Sequence, residues 1–304
     1  MTINESYHVP VLLNACLEGL QIQPNGIYVD VTFGGGGHSR VIFKHLDAAG
    51  LLIAFDQDPD ALANLWEAPN FNFVAANFAF LQNHLRMLGI KQVDGILADL
   101  GVSSHQFDTA QRGFSIREDA PLDMRMNRNG GQSAATLIAT ADEAKLASIL
   151  YEYGELRNSR ALAAQLVRQR EHAPIDTTFA LIKALERFAP KFKDHKFYAQ
   201  VFQAFRIEVN QELQVLKDFL EQSANVLKPG GHLVVMSYHS LEDRLVKNFM
   251  KRGSFSGEID KDFFGNVNKP FTEVNRHPIV ADEQECAINS RARSAKLRIA
   301  RRNG

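Results

Sequence analysis

The chain has 304 residues, 45% of them apolar and 23% charged, enough for one large domain or two ordinary ones at roughly 100–200 residues each. With 34 basic against 35 acidic residues the net charge is −1, which excludes a chain that is basic throughout and confines any nucleic-acid binding to local patches. Only two cysteines, Cys16 and Cys286, are present, with no CxxC pair. This counts against a disulfide framework and a cysteine zinc site and fits a reducing cytoplasm.

The start, Met1-Thr2-Ile3-Asn4-Glu5-Ser6, lacks the basic flank and apolar core of a signal peptide. No apolar run approaches the roughly 18 residues of a membrane helix. The expectation is a soluble cytoplasmic protein. Residues 27–33 are β-branched and aromatic and run into Gly34-Gly35-Gly36-Gly37, after which Val41, Ile42 and Leu46 fall on one helical face. Residues 51–55 form a short apolar run ending at Asp56, residues 61–66 read as helical, residues 71–75 as a strand, and residues 93–98 as a fourth strand ending at Asp99. Strand and helix alternating at this spacing predict a parallel sheet covered by helices on both faces.

From residue 133 to 227 the pattern is helical. Residues 142–153 repeat apolar side chains near a 3.6 period, Thr177 or Thr178 is placed to cap a helix through Ala189, and residues 197–227 read as one long helix. The sheet pattern then returns. Lys228-Pro229-Gly230-Gly231 reads as a turn before a strand over 232–237, a helix follows over 241–251, and residues 296–300 alternate basic and apolar as a half-buried strand does. The expected organisation is a sheet domain over 1–105 and 210–304, interrupted by an all-helical insertion over 106–209. Arg112-Gly113-Phe114 and Asp123-Met124-Arg125-Met126 lie in the connection into that insertion.

Glycines after a first strand allow a tight turn and let a cofactor approach the backbone. The dinucleotide pattern G-x-G-x-x-G fails here, because its third position falls on Ser39 or Arg40. Asp56 lies about 20 residues beyond the glycines, where an acid can hold a ribose diol; as a helix cap before Pro59, Asp58 fits better. Ligands of open parallel sheets bind at the carboxyl ends of the strands, so Asp30, Asp56 and Asp99 are expected along one edge. Three such carboxylates suit a divalent cation, but equally a cofactor bearing a sulfonium and hydroxyls, and their spacing predicts no metal. Tyr238 falls at the same edge and is placed to stack on a base, with a core or rim aromatic as the plainer reading. His239 reads as structural. The last 19 residues hold Arg291, Arg293, Lys296, Arg298, Arg301 and Arg302 and no acid, which reads as a phosphate-binding patch or as a charged strand edge.

Taken together these stretches resemble one family, the bacterial 16S ribosomal RNA cytosine-N4 methyltransferases (RsmH, also called MraW). The resemblance rests on motifs in one order along the chain. They are His8-Val9-Pro10-Val11-Leu12-Leu13, Tyr28-Val29-Asp30-Val31-Thr32-Phe33-Gly34-Gly35-Gly36-Gly37-His38-Ser39, and Asp94-Gly95-Ile96-Leu97-Ala98-Asp99-Leu100-Gly101-Val102-Ser103-Ser104. Beyond these come Arg112-Gly113-Phe114-Ser115, Pro121-Leu122-Asp123-Met124-Arg125-Met126, Ser237-Tyr238-His239-Ser240-Leu241-Glu242-Asp243-Arg244 and Ser290-Arg291-Ala292-Arg293-Ser294-Ala295-Lys296-Leu297-Arg298.

The resemblance implies a Rossmann-like class I methyltransferase sheet, an α/β fold, with the helical insertion recognising substrate. It implies S-adenosylmethionine as cofactor, held by Gly36, Gly37, His38, Asp56, Phe78, Asp99 and Gln106. It also implies 16S ribosomal RNA as substrate, within a small subunit or its precursor. The insertion departs from the family pattern. Lys196-Phe197-Tyr198-Ala199-Gln200-Val201 stands where His-Pro-Ala-Thr-Arg-Thr is usual, and Asn127 replaces a common aspartate.

The cytosine N4 lone pair is conjugated into its ring, so an acceptor on the N4 hydrogens is needed to let the nitrogen attack. DNA amino-methyltransferases place an Asp, Asn or Ser before Pro-Pro-aromatic at the end of the fourth strand. Here the stretch is Asp99-Leu100-Gly101-Val102, which makes Asp99 the catalytic candidate. RNA contacts are expected from Tyr238, Arg291, Arg293, Lys296 and Arg298. The competing readings are an NAD-dependent oxidoreductase, disfavoured by the broken glycine pattern, and a non-catalytic ribosome-binding factor, disfavoured by the complete set of edge residues.

Overall fold

The computed structural model describes residues 10–258 and 269–304. Residues 1–6, read above for targeting, and His8 and Val9 of the first motif lie outside the described residues. Among the described residues seven strands form one sheet: β1 (Ile27–Asp30), β2 (Leu51–Phe55), β3 (Phe71–Val74), β4 (Val93–Asp99), β5 (Leu227–Ser237), β6 (Phe271–Glu273) and β7 (Lys296–Arg302). Their order is β3-β2-β1-β4-β5-β7-β6. The first five pair in parallel, and β7 runs antiparallel to both β5 and β6. This is the α/β sheet the sequence pattern predicts, doubly wound with an antiparallel edge.

The side-chain alternation of the strands supplies two cores, one on each face. Ile53, Phe55, Ile96 and Ala98 pack with Phe219, Leu220 and Phe249 on one face. Leu52, Ala54 and Leu97 pack with Cys16, Leu20 and Ile42 on the other. The first unit's early helices are α1 (Leu13–Leu20), α2 (Gly37–Lys44) and α3 (Leu81–Met87). Where a helix was expected over 61–66 there is a 3-10 turn over Pro59–Asn64, opened by Asp58, whose side chain accepts from Asp60 N. Lys228–Gly231 bulges out of β5: the pairing steps from Val93 opposite Leu227 to Gly95 opposite His232.

The chain divides into two compact units, Met1–Gly101 with Leu213–Gly304, and Val102–Glu212. The second unit holds α4 (Ser104–Asp108), α5 (Ala134–Thr140), α6 (Glu143–Glu152), α7 (Ser159–His172), α8 (Thr178–Leu185) and α9 (Asp194–Asn210). It has its own core, including Leu137, Ile149, Leu162, Leu166, Leu181 and Phe205. Asp142 and Thr177 cap α6 and α8 by accepting from Lys145 N and Ala180 N.

The single helix expected over 197–227 is two helices. Gln211 adopts φ 51 between α9 and α10 (Glu212–Val226). Asn210 stops α9: its carboxamide accepts from Met126 N at 2.8 Å and donates to Met124 O at 2.8 Å. The remaining helices, α11 (Ser240–Arg252) and α12 (Glu283–Ile288), belong to the first unit. No helix among the described residues is long and apolar enough to cross a membrane.

Candidate active site at the carboxyl edge of the sheet

Register places Asp30 beside Ala54 and Leu97, and Asp99 beside Met236, so the residues after β1, β2 and β4 emerge along one edge. The three acids there have different tasks. Asp30 is 1% exposed. It ends β1 earlier than residue 33 by accepting from Thr32 N at 3.0 Å, Thr32 Oγ1 at 3.3 Å and Ser39 Oγ at 2.6 Å. Thr32 Oγ1 in turn accepts from Asp99 N at 2.7 Å. Asp30 is therefore a clasp that ties the end of β4 to the start of α2.

Asp56 reaches the glycine loop. Its two oxygens accept from Gly34 N at 2.7 Å and Asp58 N at 2.8 Å. Gly36 caps α2 at φ 74, where a Cβ would lie 3.0 Å from the Phe33 ring, and a Cβ on Gly37 would meet Pro10 Cγ at 2.6 Å. A left-handed turn and a close chain approach thus both require glycine here. The first turn of α2 brings in His38, buried against the segment before α1, with Nε2 3.1 Å from Val11 O. A carbonyl can only accept, so Nε2 carries the hydrogen. The other ring nitrogen, Nδ1, lies 3.7 Å from Asp99 Oδ2.

Asp99 is the centre of this edge. Tyr238 donates its hydroxyl to Asp99 Oδ1 at 2.7 Å, leaving Oδ2 toward His38. The Asp99 side chain remains 24% exposed. Burial pushes its pKa up to about 6, against the opposing pull of His38 and the Tyr238 hydroxyl and with the help of Asp30 and Glu242. Burial likewise raises Asp56 to about 6, opposed by the N–H groups of Asp58 and Gly34. Tyr238 is pushed far upward by burial and by the Asp99 carboxylate, so it stays a phenol and a donor. A carboxylate poised near neutrality, held by one donor and open on its second oxygen, can accept a proton or a hydrogen bond from a ligand.

Tyr238 packs as the core or rim aromatic of its plainer reading. Its hydroxyl is committed to Asp99, and its ring packs against the core that includes Leu97 and Val234. The next residue, His239, has the structural role expected of it: it caps α11 through Nδ1, 3.4 Å from Glu242 N.

Sequence reading did not single out Glu242, which is buried and accepts from Tyr238 N at 3.0 Å, fixing the backbone that carries the tyrosine. The signal was available as a capping-box acid two residues inside α11. Thr32 and Ser39, which orient Asp99 and Asp30, lay within a recognised motif without an assigned role.

Phe78 opens a 3-10 turn after β3, half-buried, with its ring edge-on to Phe219 at 5.4 Å; its neighbour Phe80 is exposed. Gln106 belongs to the second unit. It is buried there at the third position of α4, its Oε1 accepting from Ser103 N at 3.0 Å. In the insertion, Gln200 donates to Gly154 O at 3.0 Å, and Asn127 accepts from Asn129 N at 2.9 Å on the surface.

The basic carboxyl terminus divides. Arg298 is 5% exposed and forks onto Asp243, with Nε–Oδ1 at 2.7 Å and Nη2–Oδ2 at 3.3 Å. It is a structural ion pair, which corrects its expected place in an RNA patch. Arg302 is spent on Ala224 O and Pro270 O. Lys296 sits 3.7 Å from the same Asp243. Arg291 is half-buried, whereas Arg293 and Arg301 are exposed.

The family model for the MraW methylase family matches residues 5–303. Three curated relatives carry the name ribosomal RNA small subunit methyltransferase H. The protein from Cytophaga hutchinsonii is 58% identical over 97% of this chain and 99% of its own. That from Flavobacterium johnsoniae is 54% identical over 99% of both chains. That from Parabacteroides distasonis is 55% identical over 97% of both.

Proposed function

The chain belongs to the MraW methylase family, and on that premise we propose that it methylates the exocyclic N4 amine of a cytidine in 16S ribosomal RNA, in the cytoplasm, within the small ribosomal subunit or a precursor of it. The observation that carries this reading is the whole-chain likeness to small-subunit ribosomal RNA methyltransferases at 58% identity. The oxidoreductase and non-catalytic alternatives find no support among these relatives.

S-adenosylmethionine is the methyl donor, and it supplies an electrophilic methyl group on a sulfonium. The residues at the sheet edge fit such a ligand. The left-handed Gly36 and the Cβ-intolerant Gly37 keep the loop low. Asp56 follows β2 as a carboxylate for a ribose diol. Gly37, His38, Phe78 and Asp99 complete the proposed holding set on the sheet unit. Gln106, which the family resemblance adds to the set, is a residue of the helical unit.

Asp99 is the proposed catalytic residue. Its open oxygen accepts a hydrogen bond from the target N4, which lets the lone pair leave conjugation, and then takes the proton that the methylated nitrogen sheds. Tyr238 holds the other oxygen, and Thr32 holds the Asp99 backbone N–H at the strand end. The target base must leave its stack to reach such a group. The insertion, with Arg293 and Lys296 of the sheet unit, is proposed to hold the RNA.

The test is incorporation of tritiated methyl from S-adenosylmethionine into small subunits of a strain lacking this protein, followed by mapping of the modified nucleotide. Label on an N4-methylcytidine of 16S ribosomal RNA is expected. Label on another base, or no label on the small-subunit RNA, overturns the reading.

A further inference from the structure

The second unit carries a feature that the sheet edge does not use. Lys193 N donates to Pro190 O at 3.1 Å, closing a four-residue turn between α8 and α9. The third residue of the turn, Phe192, has φ 65 and is 100% exposed. A turn of this kind favours glycine or asparagine at that position, and a bulky side chain there is strained. An aromatic ring fully in water gains nothing from burial to offset that strain.

The surroundings are cationic. Residues 186–196 hold Arg187, Lys191, Lys193 and Lys196 against Glu186 and Asp194. Lys191, Lys193 and Lys196 are exposed, and among the described residues none of the three has an ion-pair partner. Arg187 covers the neighbouring Phe188 ring at 4.7 Å, which leaves Phe192 as the outward ring.

We propose that this turn is a single-stranded RNA contact in which Phe192 stacks on an unpaired base while Lys191, Lys193 and Lys196 hold the adjoining phosphates. A lone ring set among solvated cations matches the alternation of base and phosphate in a single strand. A protein-docking patch presents contiguous apolar area instead, whereas Phe192 is flanked on both sides by exposed lysines, Lys191 and Lys193. The inference rests on the ribosomal RNA reading above and adds to it a contact on the helical unit, with its own anchor residue.

Fluorescence anisotropy on the full-length protein tests it, with a short single-stranded RNA of mixed sequence and a duplex of the same length as probes. Phe192→Ala is expected to weaken single-strand binding by about tenfold, and Phe192→Trp to restore it, since stacking tolerates any large ring. Replacing all three lysines with Gln is expected to lower the salt slope by about two, at roughly 0.7 per phosphate. Phe192→Gly separates binding from folding: it relieves the left-handed strain, so the melting temperature holds or rises while affinity falls as in the alanine variant.

Unchanged single-strand affinity in the alanine and glycine variants overturns the proposal, as does equal weakening on the duplex. Methylation of small subunits by the wild type alongside unaltered RNA affinity in Phe192→Ala removes this contact and spares the functional reading. Phe192-dependent binding without any methylation does the reverse.

Discussion

The carboxyl edge of the sheet and the turn at residues 190–196 treat charge in opposite ways. At the edge, acids are drawn out of water and each is tied to fixed donors, so two of them, Asp56 and Asp99, have pKa values raised to about 6. At the turn, cations stand in water and a ring stands with them. Chemistry on a poor nucleophile needs a preorganised, partly dehydrated group. Attraction of a polyanion needs hydrated charge whose counterions can be released. The net charge of −1 hides both, because each depends on where a charge sits rather than on how many there are.

The largest expected effect tests the edge. Asp99→Ala should lower methyl transfer by about a thousandfold, within the range for a positioned proton acceptor, measured as tritium incorporated under saturating S-adenosylmethionine. Turnover near that of the wild type would move Asp99 out of the reacting centre. Next comes a residue whose composition places it with the turn and whose burial places it with the edge. Arg298→Ala leaves Asp243, among the described residues, with the more distant Lys296 as its remaining cation. It should cost about 3 kcal/mol of unfolding free energy, as breaking a buried pair does, read by urea titration. Loss of RNA affinity at unchanged stability would return Arg298 to the RNA-binding set.

A third prediction concerns protonation. Asp99 acts as an ionised acceptor, so methyl transfer should fall as pH drops through about 6. The Tyr238 hydroxyl favours the carboxylate form. Tyr238→Phe should therefore move that acidic limb upward by about one pH unit, the worth of one hydrogen bond to a charged group. A limb that stays in place would show that the hydroxyl does not reach the ionised state in solution.

Much of the fold was legible because it follows from local pattern. Strand 51–55 is a continuous apolar run and strand 93–98 is apolar apart from Asp94 and Gly95; both end at acids, and both appear in register at one edge. What escaped was set by distant partners. Nothing near Gln211 marks a helix end; the break is made by Asn210 bonding Met124 and Met126, more than eighty residues away in sequence. Within the site, the placement of Asp99 followed from its strand end, whereas the roles of Tyr238 and Glu242 needed the fold. A tyrosine after a strand reads the same whether its hydroxyl faces solvent or a carboxylate. The cationic carboxyl terminus failed as a single patch for the same reason: alternation along β7 turns Arg298 inward and Arg301 outward, and the sequence does not name Asp243 as the partner.

The smallest expected effect separates the two kinds of cation within that terminus. Arg293 is exposed on a 3-10 turn before β7, in the manner of the lysines at residues 191–196. If it contacts phosphate, Arg293→Ala should reduce the slope of log affinity against log salt by about 0.7 and lower affinity a few-fold, with little change in melting temperature. Arg298→Ala should change stability and leave the slope alone. Crossed results, with stability following Arg293 and the slope following Arg298, would mean that burial is a poor guide to which cations meet RNA. The division drawn between the sheet edge and the solvated turn would then lose its physical basis.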